Sequence, residues 1–220
     1  MTHWIILPIV VPLLAGALLV LADRFLPRVV TVLGAISIAV QLCTVIVLGA
    51  RTADGEVLTY LLGNWPTPFG IALAADRLTV IMLALTVTVA LAAFIAARDG
   101  VDRRGAHFHA LLQFQLAGLN GAFLTADLFN LFVFFEVLLI ASYALLLHEG
   151  REQRLRSGVH YVIANLLAST IFLIAVGLLY SVAGSLNLAD LSERLAALPP
   201  DAASTARMAA LLLLVVFAMK

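Results

Sequence analysis

The sequence predicts an all-α protein, a polytopic transmembrane helical bundle of about seven spans with its N-terminus outside. Three observations carry that reading. Apolar residues make up 63% of the chain and charged residues only 12%, where a soluble domain carries ~25% charged. The apolar residues fall into blocks of ~20, the length that crosses a bilayer as a helix. The arginines concentrate in alternate connections between those blocks.

Trp4 to Ala22 is the first block. It has no basic n-region and its apolar stretch exceeds a signal-peptide core, so it reads as a retained span. Val29 to Ala50, Leu78 to Ala97 and Leu128 to Leu147 are further spans. Ala110 to Ala126 carries Gln113, Gln115 and Asn120, which marks an interior helix. Val159 to Ala183 is a sixth span with a polar stripe, and a seventh begins near Ala206 and runs to the end.

The loop after span one holds Arg24 and Arg28, the loop after span three Arg98, Arg103 and Arg104, and the loop after span five Arg151, Arg154 and Arg156. The positive-inside rule puts these loops in the cytoplasm. Arg77 beside Asp76 is expected to be an interfacial pair that snorkels outward. The outer loop 51–75 contains Gly63-Asn64-Trp65-Pro66-Thr67-Pro68-Phe69-Gly70. Its prolines and glycines forbid a continuous helix and predict a hairpin or folded turn. In the sixth loop, Leu188, Leu191 and Leu195 recur at helical spacing among Asp190, Glu193 and Arg194. They predict a short amphipathic helix on the outer face.

Glu136 is the residue that points to chemistry. It is the one charge in the run Leu128 to Leu147. At ~1.5 Å per residue it lies ~12 Å from one end of the run and ~17 Å from the other. Burying an ionisable group there costs ~2.5–3.5 kcal/mol on insertion scales, and such residues mark ion and proton pathways. The competing reading is a carboxyl paired inside the bundle with no transport role. Lys220 is the sole lysine. Either its helix is cut off mid-membrane with the lysine buried, or the helix began near Ala202 and the lysine snorkels at the cytoplasmic end. A buried lysine titrates where an arginine effectively cannot. Asp127 stands nine residues before Glu136, on the opposite helix face. It reads as an N-cap of span five.

Tyr161, Asn165 and Ser169 recur at i+4 on span six and form one polar face, with His160 beside it. That face is either one wall of a hydrated path or polar glue between helices. His107 and His109, spaced i, i+2, do not share a helix face; a surface or lipid-interface role is expected and no metal site. The histidines cluster at the cytoplasmic ends, which disfavours haem. The lone Cys43 builds neither an intramolecular disulfide nor a zinc site. Zero net charge gives no reason to expect nucleic acid. Nothing suggests a cofactor or a soluble-enzyme nucleophile.

The segment Ala126-Asp127-Leu128-Phe129-Asn130-Leu131-Phe132-Val133-Phe134-Phe135-Glu136 resembles the antiporter-like membrane subunits. These include the proton-pumping subunits of respiratory complex I and the large subunits of Mrp-type monovalent cation (Na+)/proton antiporters. The Gly63-to-Gly70 stretch, followed by Ala75-Asp76-Arg77-Leu78, looks most like the Mrp D subunit. The resemblance implies that Glu136 is the family's essential fifth-helix glutamate and Lys220 the seventh-helix lysine that pairs with it, which favours a buried Lys220. It matches Asp127 to a recurrent acidic position. It also implies a multi-pass prokaryotic inner (plasma) membrane location, further subunits of a hetero-oligomeric antiporter complex as partners, a lipid bilayer around them, and protons with Na+ or another monovalent cation as cargo.

Family members have roughly twice as many helices in two inverted repeats. The chain is therefore expected to be an N-terminal fragment. Residues 1–105 would hold the first three helices and residues 106–220 the start of the first repeat, truncated. Two rivals remain: a proton-translocating subunit of an NADH-quinone oxidoreductase or membrane-bound hydrogenase, and a non-conducting structural subunit.

Overall fold

The computed structural model describes residues 3–23, 25–148 and 152–220, without the side chains of residues 27, 28 and 152–157. Arg24 and Arg151, and the side chains of Arg28, Arg154 and Arg156, lie outside the described residues.

Among the described residues, eight α-helices and one β-hairpin follow in order: α1 (Leu7–Asp23), α2 (Pro27–Thr52), β1 (Leu58–Leu61), β2 (Ala72–Ala75), α3 (Arg77–Ala97), α4 (Phe108–Leu124), α5 (Leu128–Leu146), α6 (Glu152–Ala183), α7 (Leu188–Ala196) and α8 (Pro200–Met219). The all-α bundle predicted from the apolar blocks is what forms. Of these helices, α2, α3, α5, α6 and α8 are long and apolar enough to cross a membrane, and α1 is a shorter apolar helix.

The apolar blocks form helices because a bilayer offers no partner for backbone N–H and C=O groups, which a helix satisfies internally. Where polar connections interrupt them, side-chain caps start α3, α5 and α7. The Asp76 carboxylate accepts from Thr79 N at 2.7 Å and starts α3. The hydrogen bonds from Thr79 hold this carboxyl below its ordinary range and outweigh the small opposing effect of burial. Arg77 does not simply snorkel outward beside it: its guanidinium donates to the carbonyls of Thr52 and Ala53 and closes the end of α2. The two neighbours thus serve opposite helix ends.

The outer loop folds as an antiparallel hairpin, with Leu58 opposite Ala75 and Leu61 opposite Ala72. Its pairing extends further: Leu73 bridges Thr125, and Asp127 bridges Asn187. The hairpin, the α4–α5 turn and the entry to α7 therefore meet at one end of the bundle. At the other end, Asp23 lies 3.0 Å from His107 Nδ1, and the Phe108 and His148 rings are in contact. Alternate connections sort to opposite ends, as successive spans require.

Helix α4 is the most enclosed, with His109, Gln113, Asn120 and seven apolar or small residues buried. Ser37 donates to Gln113 at 2.8 Å, and Asn120 donates to Gln41 and to the Pro8 carbonyl, each at 2.8 Å. This joins α1, α2 and α4 by hydrogen bonds inside an apolar core. On the opposite side α4 meets α5 closely. A Cβ on Gly118 would stand 2.7 Å from the Leu138 backbone nitrogen, and one on Gly121 would overlap the Phe134 ring.

Two large apolar clusters result, beside a small one of Leu19, Val30 and Ala110. One gathers α1 to α4 with the hairpin around Leu48, Leu73, Leu83 and Leu124. The other gathers α5 to α8 around Phe172, Leu179 and Val216. Helix α7 lies against the second through the buried Leu191. Arg194 on α7 donates to the Ala183 carbonyl at 3.0 Å and closes α6.

The surface or lipid-interface expectation does not hold for His109. It is buried beside Phe94 and Phe108, with Nε2 3.5 Å from Asp102. The i, i+2 argument missed this because the α4 start, with His107 at φ 65°, turns the first helical residues under the 101–103 turn.

Candidate functional site

Glu136 lies at the ninth position of the 19-residue α5. The start of α5 is pinned on two sides: Leu128 N donates to the Leu186 carbonyl at 2.9 Å, and Leu188 N to the Ala126 carbonyl at 2.8 Å. With its start held against a strand-like segment, the carboxylate sits at a defined depth.

Lys220 comes from α8. That helix begins at Pro200, six residues earlier than the apolar run suggested. Its first turns carry Asp201, Ser204 and Arg207. The helix starts early, as the second sequence reading of Lys220 has it, and the lysine lies beside Glu136, as the first has it. Lys220 Nζ stands 3.6 Å from Glu136 Oε1. The lysine side chain is 10% exposed and that of the glutamate 32%.

Ser169 on α6 completes the cluster. Lys220 Nζ donates to its hydroxyl oxygen at 3.0 Å, and the hydroxyl in turn donates to Glu136 Oε1. One hydroxyl therefore links ammonium to carboxylate, a geometry in which a proton can move along a hydrogen-bonded chain. The ammonium is largely enclosed and the carboxylate partly exposed, and the two charges are paired and bonded.

The rest of the α6 polar stripe divides. Asn165 turns its amide to the Tyr161 carbonyl of its own helix, at 2.9 Å. Tyr161 reaches Ser142 on α5, oxygen to oxygen 3.3 Å. With Gln115, Leu138, Phe217 and Lys220 these residues line a cavity of about 400 Å³ beside the pair. Gln115 Oε1 is buried without a protein partner. The sequence assigns neither Gln115 nor Ser142 to this site. Nothing in a single helix's periodicity reveals that α4 and α5 turn these two polar groups toward α8.

Asp127 is not brought to the pair. Its carboxylate accepts from Asn130 N at 2.8 Å and caps α5. It lines a separate cavity with Pro68, Phe69, Tyr180 and Leu186 at the hairpin end. Among the described residues no group of three or more His, Cys, Asp or Glu could hold a metal ion.

The sequence and the fold both have counterparts in known proteins. The family described as NADH:quinone oxidoreductase/Mrp antiporter, TM matches residues 125–220, which span both Glu136 and Lys220. The chain is 46% identical, over 99% of its length, to the D subunit of a probable K(+)/H(+) antiporter of Rhizobium meliloti.

The chain belongs to the NADH:quinone oxidoreductase/Mrp antiporter family.

It is also 38% identical, over 100% of its length, to the D subunit of a Na(+)/H(+) antiporter of Alkalihalophilus pseudofirmus. It superposes on a chain of the Mrp complex from Dietzia sp. DQ12-45-1b with a TM-score of 0.87 and 32% identity, over 99% of its own length and 41% of that chain. The chain spans 41% and 44% of the two curated relatives. As a member of the Mrp antiporter family with this series of apolar helices, it is a multi-pass prokaryotic membrane protein.

Proposed function

We propose that this chain is part of the D subunit of a monovalent cation/proton antiporter, and that it carries protons through Glu136 and Lys220. The observation behind this reading is the 3.6 Å approach of the two side chains, bridged by Ser169, between the middle of α5 and α6 and the end of α8. The similar proteins above 30% identity are antiporter subunits, which favours antiport over a redox-driven pump.

The mechanism follows from electrostatics. With Glu136 ionised, the ammonium is held by an attraction on the order of 4 kcal/mol at an effective dielectric of ~20. A proton arriving at Glu136 removes that attraction. Lys220 then releases its proton, or its charge shifts along the membrane plane, and the carboxyl can reset. Each charge crossing the membrane exchanges ~2.3 kcal/mol per 100 mV, comparable with the pair's own attraction. Cation exchange and the rest of the relay belong to the other part of the D subunit and to its partner subunits. Residues 106–220 form the opening part of one antiporter-like repeat and residues 1–105 a leading three-helix unit. The arginine-rich loops face the cytoplasm. Asp127 has a supporting place at the hairpin end.

The test is Glu136→Gln in the complete assembly, read as cation-driven proton movement in everted membrane vesicles. Loss of at least tenfold is expected. Unchanged transport would sink the reading and leave the pair structural.

A further inference from the structure

The Lys220 ammonium has a third neighbour besides Glu136 and Ser169. Its Nζ lies 5.3 Å from the centroid of the Phe135 ring. That is inside the ~6 Å range where an aromatic face attracts a cation. Phe135 and Glu136 are consecutive, so their side chains leave α5 ~100° apart. Lys220 enters the angle between them and touches both.

The ring is held where it is by its neighbours. Phe172 meets it edge-on, centroids 6.1 Å apart at 86°, and Phe217 meets it at 6.3 Å and 77°. Phe172 and Phe217 also pack against one another at 5.9 Å. Phe172 is fully buried. Three rings from three helices thus fix one aromatic face against the ammonium, and α8 brings Phe217 and Lys220 in together, three residues apart on one helix face. The titratable groups around the ammonium are Glu136 from α5 and Tyr161 from α6, which lines the same cavity and meets the Tyr143 ring of α5 edge-on. Among the described residues, Ser169, Gln115 and Ser142 are the uncharged polar groups bonded to it or lining its cavity.

We propose that Phe135 is a positioning residue for the proton-carrying pair: its ring face retains the Lys220 ammonium while Glu136 is protonated. This rests on the reading of Glu136 and Lys220 as that pair. Protonation takes away the carboxylate charge and leaves the ammonium with a hydroxyl and a ring. The ring offers attraction without a proton acceptor. It holds the ammonium beside the pair without competing for its proton, and so delays the release of that proton that follows protonation of Glu136. A leucine would fill much of the same volume and supply no such attraction.

The experiment replaces Phe135 with mono-, di- and trifluorophenylalanine in the complete assembly. Fluorination drains the ring's face at nearly constant shape, so folding is preserved and ring electrostatics alone changes. The readouts are the pH profile of proton movement in everted vesicles and the infrared difference band of the Glu136 carboxyl. The alkaline limb is expected to move to lower pH stepwise with each fluorine, by roughly one pH unit across the series. The Glu136 band should move in step, and Phe135→Trp, with its stronger ring face, should keep the alkaline limb at or above its native pH. A flat series, with Glu136→Gln still abolishing transport, overturns this inference alone. Transport that survives Glu136→Gln overturns the pair and this inference with it.

Discussion

Ser169 Oγ lies 3.0 Å from Lys220 Nζ and donates to Glu136, so lysine and carboxylate communicate through a hydroxyl as well as across 3.6 Å of space. Removing that hydroxyl should weaken the pair without abolishing it. For Ser169→Ala we expect proton movement in everted vesicles to fall by roughly tenfold, the equivalent of one hydrogen bond to a charged group. A double-mutant cycle with Glu136→Gln checks the linkage: if the hydroxyl acts through the carboxylate, Ser169→Ala adds little once Glu136 is gone. Full additivity would refute it.

Lys220→Arg separates charge from titration. Arginine keeps the positive charge beside Glu136 but cannot give up its proton in a protein. If Lys220 only neutralises Glu136, Lys220→Arg transports normally. If it carries a proton, the variant assembles and stays inactive, with loss of at least roughly a hundredfold in cation-driven proton movement.

Much of this arrangement is legible in the sequence, and what is hidden shares one cause. The apolar runs announce the helices because a bilayer leaves the backbone no alternative. The Pro-Gly stretch 63–70 announces a hairpin, and Leu188, Leu191 and Leu195 announce α7. Glu136 stands out as the only charge in its run. Partners are different. Asn165 and Ser169 lie on one face at identical spacing, yet only Ser169 meets Glu136, because the crossing of α5 and α6 decides which turn touches which. The same holds for His109, whose burial under Phe94 and Phe108 depends on how the 101–103 turn folds over α4. Phe135 gives no signal among the phenylalanines around it, because only the arrival of α8 makes one ring a neighbour of a cation.

The α4–α5 contact should tolerate no added side chain. Gly118 and Gly121 let α4 approach the Leu138 backbone and the Phe134 ring. Overpacking of this kind costs ~1–3 kcal/mol. Gly118→Ala should therefore lower the thermal unfolding midpoint of the detergent-solubilised assembly and reduce transport, since α5 carries Glu136. Gly177, where an added Cβ would meet no atom within 4 Å, is the control: Gly177→Ala should leave both unchanged.

Asp76 predicts a pH dependence at the hairpin end. Its carboxyl is held below the ordinary aspartate value, chiefly by hydrogen bonds from Thr79. A group depressed in the folded state adds stability above its unfolded pKa of ~3.9, and that stability is lost as pH falls through the lower folded value. The native protein should lose thermal stability below pH ~4 partly through this cap. Asp76→Asn keeps the cap geometry without the charge, so it should stay close to native at neutral pH and show a shallower acid limb. Identical acid limbs would show that the cap charge contributes nothing.

Asp127 offers the sharpest division between structure and transport, because capping and proton handling ask different things of its side chain. As a cap it needs an oxygen that accepts from Asn130 N at 2.8 Å. Asparagine supplies one, and alanine does not. Capping alone predicts that Asp127→Asn matches the native protein in stability and transport, while Asp127→Ala loses ~1 kcal/mol of stability. A supporting part in proton movement needs a titratable carboxyl, so it predicts that Asp127→Asn is as stable as native yet slower in transport. Asp127 borders its own cavity at the hairpin end, ~13 Å along α5 from Glu136 at helical rise. Any effect of Asp127→Asn on transport must therefore arise at that end of the bundle. Thermal unfolding and vesicle transport measured on the two variants together decide between the roles.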